Sequence, residues 1–445
     1  MKVRRGVMGP MSRQRAGAGL RAVSAVACAV SLVPVARSTG ADDAARAAAT
    51  VPVVPVRTVR LPARPYRVVV DAPTRHVFVL TAQPQGGATI TSMRVAVTML
   101  DGTTGAPLRA VTLEAHGFVD NGVVDARTGR LFVLTSRVGR DNGPLTGPGT
   151  VHVIDGRTGG VVRAFGAGVS PRAMTPDVRR GRLFILDGGR RGPNDVPIGA
   201  STLRAVDEVS GAVVWTARLG QVGGYVALDT RTDRLFITEG DGVTMLDART
   251  GRVGRHVSLP AEQDFGPTGF SVDALAGRVV ASFYDFTTRT YSVALLDATT
   301  GRVLHTVYMV GAGVVDPRAG RYISTESPLS SSGGPLGVTG LDTRSGRTVW
   351  TGELLSVKMR FPPVVEAVDE TYGRVAIVWT DVAFNGPSVY GPDSVDVLDT
   401  RSGRGLTGVD VGAGPPAVGV DEQSGRIFVA NEGDNTVSVL DTTRL

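Results

Sequence analysis

The chain has 445 residues, with 48 Lys and Arg against 41 Asp and Glu, five His and a single Cys. A hydrophobic share of 42% with 20% charged residues excludes a disordered chain, and one Cys excludes an intrachain disulfide or a Cys-rich zinc site. The formal charge of +7 is confined to one end: residues 1–41 hold seven basic residues and no acid, which leaves 41 of each sign in residues 42–445 and no electrostatic footprint for nucleic acid.

Residues 1–21 are basic and residues 22–36 (AVSAVACAVSLVPVA) are uncharged and mostly apolar, the pattern of a secretory signal. Fifteen residues fall short of the ~20 that a membrane-spanning helix needs. The segment 1–41 is therefore read as a signal peptide that directs the chain to secretion or to the cell envelope. Thr39 and Ala41 suit cleavage before Asp42. Lipidation at Cys28, which follows Ala-Val-Ala, and retention as an uncleaved anchor are the other outcomes. Arg4-Arg5 has the place of a twin-arginine pair, although its flanks fit poorly. Residues 42–50 (DDAARAAAT) form a low-complexity spacer, and the folded domain is placed at 51–445, with no membrane span in the mature chain.

From residue 71 onward two phrases alternate. The first is Asp, four residues, Arg or His, then an apolar run: DAPTRHVFVL (71), DARTGRLFVL (125), DVRRGRLFIL (177), DTRTDRLFIT (229), DALAGRVVAS (273), DPRAGRYIST (316), DETYGRVAIV (369) and DEQSGRIFVA (421). The second is LDGTTG (100), IDGRTG (154), VDEVSG (206), LDARTG (246), LDATTG (296), LDTRSG (341), LDTRSG (398) and LDTTRL (440). Such a fixed period is the mark of a repeat architecture.

Alternating Val, Ile, Leu and Phe on either side of a short polar stretch describe two strands and a tight turn. Asp opens the turn by accepting backbone N–H groups two residues on, and Gly near its end supplies positive φ. The recurrent Asp residues are accordingly structural. Two hairpins per ~50 residues make four strands, the unit of a β-propeller blade. The last repeat ends after its third strand, and an extra β-rich segment, VPVVPVRTVRL (51–61), precedes the first. This N-terminal strand is expected to complete the last blade. Eight blades are expected, or seven if the shortened unit near 273 does not stand alone.

IFVANEGDNTVSVLDTTRL (427–445) resembles the repeat of YVTN-type, YncE-like β-propellers, and the other units are looser versions of it. AVDEVSGAVVW (205–215) and GLDTRSGRTVW (340–350) are similar to the tryptophan-docking repeat of PQQ-type propellers. In the Trp region other units have Val161 or Phe165, Val257, His305 and Val409. Both resemblances imply the propeller fold, and neither implies one function.

The two turn phrases fall on one face of such a ring, and the long irregular loops on the other: 81–92, 136–150, 187–202, 324–337 and 380–394. Elaboration on one face of a rigid scaffold is where binding resides. Near the channel on that face lie Arg64 and Tyr66, His116 with Asp120 and Asn121, Arg172, Asp264, and Arg360. His116 and Asp120 have the residue types of a base and its orienter. Asp120, Asn121 and Asp264 are oxygen donors of the kind that hold Ca²⁺, as in lactonase-like propellers. Arg64, Arg172 and Arg360 could receive a carboxylate or phosphate.

No HExxH, GxSxG or Walker sequence occurs, and no His/Cys pair has metal-ligand spacing. The reading is a monomeric, non-catalytic binding or interaction module, without an obligatory cofactor, for a protein or small-molecule ligand. Its alternatives are a lactonase-like metal-dependent hydrolase and a PQQ-like-repeat enzyme or envelope scaffold. A PQQ-dependent dehydrogenase would need an adjacent Cys pair, which the chain lacks.

Overall fold

The second strand of each repeat shows best why the chain folds as it does. In Arg182–Asp187 and Arg426–Asn431 every residue after the Arg is buried, on both faces of the strand. Only a sheet covered on both sides buries such a run. The cover is the neighbouring blade: Phe184 and Leu186 of one sheet share a cluster with Leu235 and Ile237 of the next. Phe78, Phe132, Phe184, Phe236 and Phe428, each two residues after the repeat's Arg or His, are all buried. The apolar core is therefore a set of layers between blades.

The computed structural model describes residues 55–85, 92–137, 147–189, 199–220, 222–259, 267–285, 290–308, 312–325, 337–354, 365–379 and 393–445. The leader, Cys28 and the spacer lie outside them. The described chain is all-β apart from one 3-10 turn at Ala72–Thr74. It forms eight four-stranded antiparallel blades. Two of them share the long strand Pro107–Asp125, which is the outer strand of the first blade and the inner strand of the second. The unit near 273 has its own four strands, Pro267–Asp273, Arg278–Asp285, Thr290–Asp297 and Val303–Tyr308, which settles the count at eight.

The inner strands Arg64–Asp71, Pro107–Asp125, Pro171–Asp177, Val222–Asp229, Pro267–Asp273, Gly313–Asp316, Val365–Asp369 and Ala417–Asp421 touch in sequence, and the last touches the first. The closing strand is Pro55–Arg60. It pairs antiparallel with Thr436–Asp441, with Thr58 opposite Ser438 and Arg60 opposite Thr436. The expected completion of the last blade by the N-terminal strand is observed.

At the turn end of every blade, the Arg or His of the first phrase stands between the two phrase Asp residues across three strands. His76 is opposite both Asp71 and Asp101, and Arg278 is opposite both Asp273 and Asp297. The arrangement repeats through Arg426, opposite Asp421 and Asp441. The two aspartates differ. The second accepts its own turn: Asp155 takes the N–H groups of Arg157 and Thr158, which hold its carboxyl below the usual range. The first is fully buried in all eight blades. For Asp71 and Asp369 that burial raises the pKa.

In two blades the buried carboxylate accepts a hydrogen bond from the next blade. Thr343 Oγ1 donates to Asp273 at 2.6 Å and Thr400 Oγ1 to Asp316 at 2.6 Å, each from the blade that follows. His76 Nδ1 meets the Gly156 carbonyl at 2.6 Å. Ser424 of the last blade donates to the Gly102 carbonyl of the first, which closes the circle on this face. The residue after each second-phrase Asp also donates its N–H to the positive-φ residue of the first turn. Examples are Gly156 to Gly129 (φ 63°) and Ala248 to Asp233 (φ 55°).

Glu208 departs from this pattern. It occupies the position held by Gly, Ala or Thr elsewhere, is buried, and lies against the buried Asp125, with Arg127 3.1 Å from its Oε1. Burial, then the hydrogen bond and charge of Asp125, push its pKa up to about 7. A carboxyl with a raised folded pKa stabilises the fold while protonated, and that contribution is lost as pH climbs through about 7. Glu208→Gln should therefore raise stability by roughly 1–3 kcal/mol at about pH 8, with the gain shrinking toward about pH 5. Urea denaturation at the two pH values measures this.

Candidate functional site at the channel mouth

Because the first-to-second and third-to-fourth strand turns share the lower face, the second-to-third connections and inter-blade loops share the upper one. Carboxylates at the tops of the sheets hold those inter-blade loops in place. Asp187 accepts the N–H groups of Val169, Ser170 and Gly189 at 2.8, 3.0 and 2.9 Å. Glu239 accepts from Gly220 at 2.7 Å, and Asp434 from Ala413 at 2.7 Å. Charge-assisted bonds of this kind fix the loops that lead into the inner strands, and with them the channel rim.

Arg64 and Tyr66 begin the inner strand of the first blade, beside the hairpin of the last. There Glu432 Oε1 lies 3.6 Å from the Arg64 guanidinium. Tyr66 is half-buried against the same pair. Burial, followed by the charge of Glu432, raises its pKa, while Arg64 works in the opposite direction. These three groups form a polar corner at the seam where the ring closes. Deeper along the inner strands, burial also raises the pKa of Tyr225, in the fourth blade, and the Arg67 charge of the first blade lowers it. Two blades separate these positions around the ring, so that influence acts through the channel.

Asn121 and Arg172, also expected here, have neighbours elsewhere. Asn121 Nδ2 donates to the Met174 carbonyl at 3.5 Å, bracing the inner strands of the second and third blades. Arg172 packs along Gly188, where an added Cβ would lie 3.1 Å from its Nε. His116 and Asp120 lie on the long shared strand, where His116 pairs with Arg94 in the first blade. Their side chains fall outside the described residues, as do Asp264 and Arg360. Among the described residues no three His, Cys, Asp or Glu groups are placed to hold a metal ion.

Sequence reasoning missed Glu432, Arg67 and Tyr225. NEGDN (431–435) satisfies the grammar of a hairpin turn, which hid Glu432. The relevant signal was the closure itself, since it sets this hairpin against Tyr66. The docking residue was also misplaced in the second, fourth and seventh blades, though not at His305. It stands eight positions after the second-phrase Asp, where Arg109, Arg163, Arg255, His305 and Thr407 occupy the place of Trp215 and Trp350. Trp350 Nε1 donates to the Thr400 carbonyl at 3.1 Å, and its ring covers Gly403 so closely that a Cβ there would collide. Arg109 does the same work at its own turn: Nη1 donates to the Thr158 carbonyl at 2.8 Å, over Gly159. A guanidinium is planar and rich in donors, so it substitutes for indole in this role.

Comparison with known proteins agrees with this geometry. The PQQ_2 family model, described as outer membrane protein assembly factor BamB, matches residues 199–361, a span that contains both docking tryptophans. The structure of BamB from Moraxella catarrhalis is similar at a TM-score of 0.53 and 17% identity, covering 88% of this chain and 100% of that one. The Dos1 propeller gives 0.59 and 12%, covering 87% and 95%. Sqt1 from Saccharomyces cerevisiae gives 0.59 and 11%, covering 86% and 98%. At these identities the likeness is one of fold. No curated protein sequence matches.

The polar corner makes a spectroscopic prediction. Replacing Glu432 by Gln removes a negative charge that opposes ionisation of Tyr66, so the Tyr66 pKa should fall. Ultraviolet difference titration, with Tyr66→Phe to assign the transition, tests this. An unchanged titration would separate the two groups.

Proposed function

We propose that this chain is a non-catalytic propeller of the secreted or envelope compartment that binds an anionic ligand or partner group at the channel mouth of its long-loop face. The supporting observation is an asymmetry. The lower turns are occupied by internal hydrogen bonds from blade to blade, whereas the upper channel collects Arg64, Arg67, Tyr66 and Tyr225, with Glu432 at its edge. Guanidinium and phenol groups on a preformed rim suit a carboxylate or phosphate. Export rests on the basic and apolar leader of residues 1–41. The YncE-like assignment rests on the repeat at 427–445.

A second reading, an assembly scaffold comparable to BamB, is favoured by the match over 199–361 and by tryptophan docking at Trp350. Its ligand would be a protein segment on the same face. Propellers similar to this one at the level of fold serve several roles, so fold likeness does not choose between the readings.

A thermal-shift screen of the full chain against carboxylates, phosphates and divalent metal ions tests the first reading. A specific ligand stabilises the native state by mass action. An anion should raise the unfolding midpoint, and Arg64→Gln with Arg67→Gln should abolish the shift. Stabilisation by Ca²⁺ accompanied by lactone hydrolysis would overturn the reading in favour of a hydrolase.

A further inference from the structure

The lower face is not uniform around the ring. In the second turns of the fourth to seventh blades the residue five places after the Asp is arginine each time: Arg252, Arg302, Arg347 and Arg404. Ala106, Gly160 and Ala212 hold that place in the first three blades. Residues 247–252, 297–302, 342–347 and 399–404 together carry seven arginines against four aspartates. Residues 101–106, 155–160 and 207–212 carry one arginine against three aspartates and Glu208. Half of the ring therefore presents an arc of positive charge that the neutral total conceals.

The backbone of each turn holds its arginine in the same way. The Arg252 N–H donates to Thr250 Oγ1 at 3.3 Å and the Arg404 N–H to Ser402 Oγ at 3.4 Å, while their carbonyls accept from Asp247 and Asp399 at 3.0 and 2.9 Å. Arg302 and Arg347 repeat both bonds. The aspartates are satisfied inside the blades. Asp297 Oδ1 takes two N–H groups and the Thr300 hydroxyl, and its Oδ2 lies 3.7 Å from Arg278, as Asp342 Oδ2 lies 3.1 Å from Arg321. Acids on the neighbouring first turns are engaged as well, Asp233 with Arg180, Glu370 with Arg318 and Glu422 with Thr371. All four rim arginines are exposed, and none of their guanidiniums has a hydrogen-bond or ion-pair partner among the described residues.

Unpaired cations fixed at equivalent points of four adjacent sheets suit an extended anionic surface better than a single small anion. Apolar side chains stand among them. Leu275, at the tip of the first turn of the fifth blade, is 65% exposed. Val253 and Val349, which follow Arg252 and Arg347 on the outer strands, are 45% and 47% exposed. A soluble polyanion makes no use of these groups, whereas a lipid interface takes both guanidinium and aliphatic side chains. We infer that this sector of the lower face docks on an anionic phospholipid surface, with Arg252, Arg302, Arg347 and Arg404 on the headgroup phosphates. Docked in this way, the channel mouth on the upper face points away from the lipid. The surface is separate from the channel mouth and does not depend on the anion reading.

Vesicle flotation tests the inference, with phosphatidylcholine vesicles set against an equal mixture of phosphatidylcholine and phosphatidylglycerol. Every chain is full length and carries Arg4→Gln, Arg5→Gln, Arg13→Gln, Arg15→Gln and Arg21→Gln, so that the basic leader does not mask the rim. The parent should prefer the phosphatidylglycerol vesicles, and less strongly as salt is raised. Arg302→Gln with Arg347→Gln and Arg404→Gln should lower that preference about tenfold or more. Arg60→Gln with Arg94→Gln and Arg218→Gln removes the same charge from exposed positions at the upper ends of other blades and should leave the preference unchanged. All six side chains are exposed, so these replacements leave the fold intact. The inference is overturned if the parent does not distinguish the two vesicles, if the rim triple variant partitions as the parent does, or if the upper triple variant loses as much as the rim one. Tighter binding of the parent to duplex DNA or polyphosphate than to the vesicles would also overturn it, by assigning the arc to a soluble polymer.

Discussion

Eight buried aspartates hold this molecule together. Each opens the first turn of a blade and stands opposite an Arg or His, and two of the carboxylates accept from the following blade, Asp273 from Thr343 and Asp316 from Thr400. A buried carboxylate without partners is costly, and one with partners on two blades fixes their relative placement. The apolar layers between blades supply most of the driving force, but they are smooth and would tolerate sliding. The polar turns set the register. That is why the lower face is stereotyped and why variation collects on the upper one.

Closure follows from the same constraint. A ring of eight sheets leaves no exposed inner edge, provided that the last blade obtains its fourth strand. Pro55–Arg60 supplies it, and the buried Val59 packs into a cluster with Val77 and Phe428 that joins the first and last blades. The seam is also where chemistry gathers. Arg64, Tyr66 and Glu432 meet on its inner side. A junction made from two distant parts of the chain is less bound by the repeat and can carry residues that the other blades do not.

Much of the fold was legible because the repeat writes its contacts into fixed offsets. The Asp, four residues, Arg pattern is a cross-strand pair seen end on, and the second Asp is the same Arg's other neighbour. The site was legible only in part. Arg64 and Tyr66 stood out as polar groups at the start of an inner strand, and they do meet. Glu432 did not stand out, because a turn explains every residue of NEGDN and only closure gives one of them a second role. Arg109 in the docking position was hidden for a different reason: a search for Trp overlooks another planar donor that bonds a carbonyl of the neighbouring turn. Glu208 reads as an ordinary turn residue until its neighbour Asp125 is seen to be buried.

The closed eight-bladed ring is the claim on which the channel mouth depends. Its most direct test is a disulfide across the seam. Thr58→Cys with Ser438→Cys, in a chain whose one native cysteine is removed by Cys28→Ser, places two thiols on directly opposed residues of the closing pair. The account predicts that mild oxidation consumes both thiols in the folded protein and that the oxidised form unfolds at higher denaturant than the reduced form. Two thiols that stay free in the folded chain would contradict it.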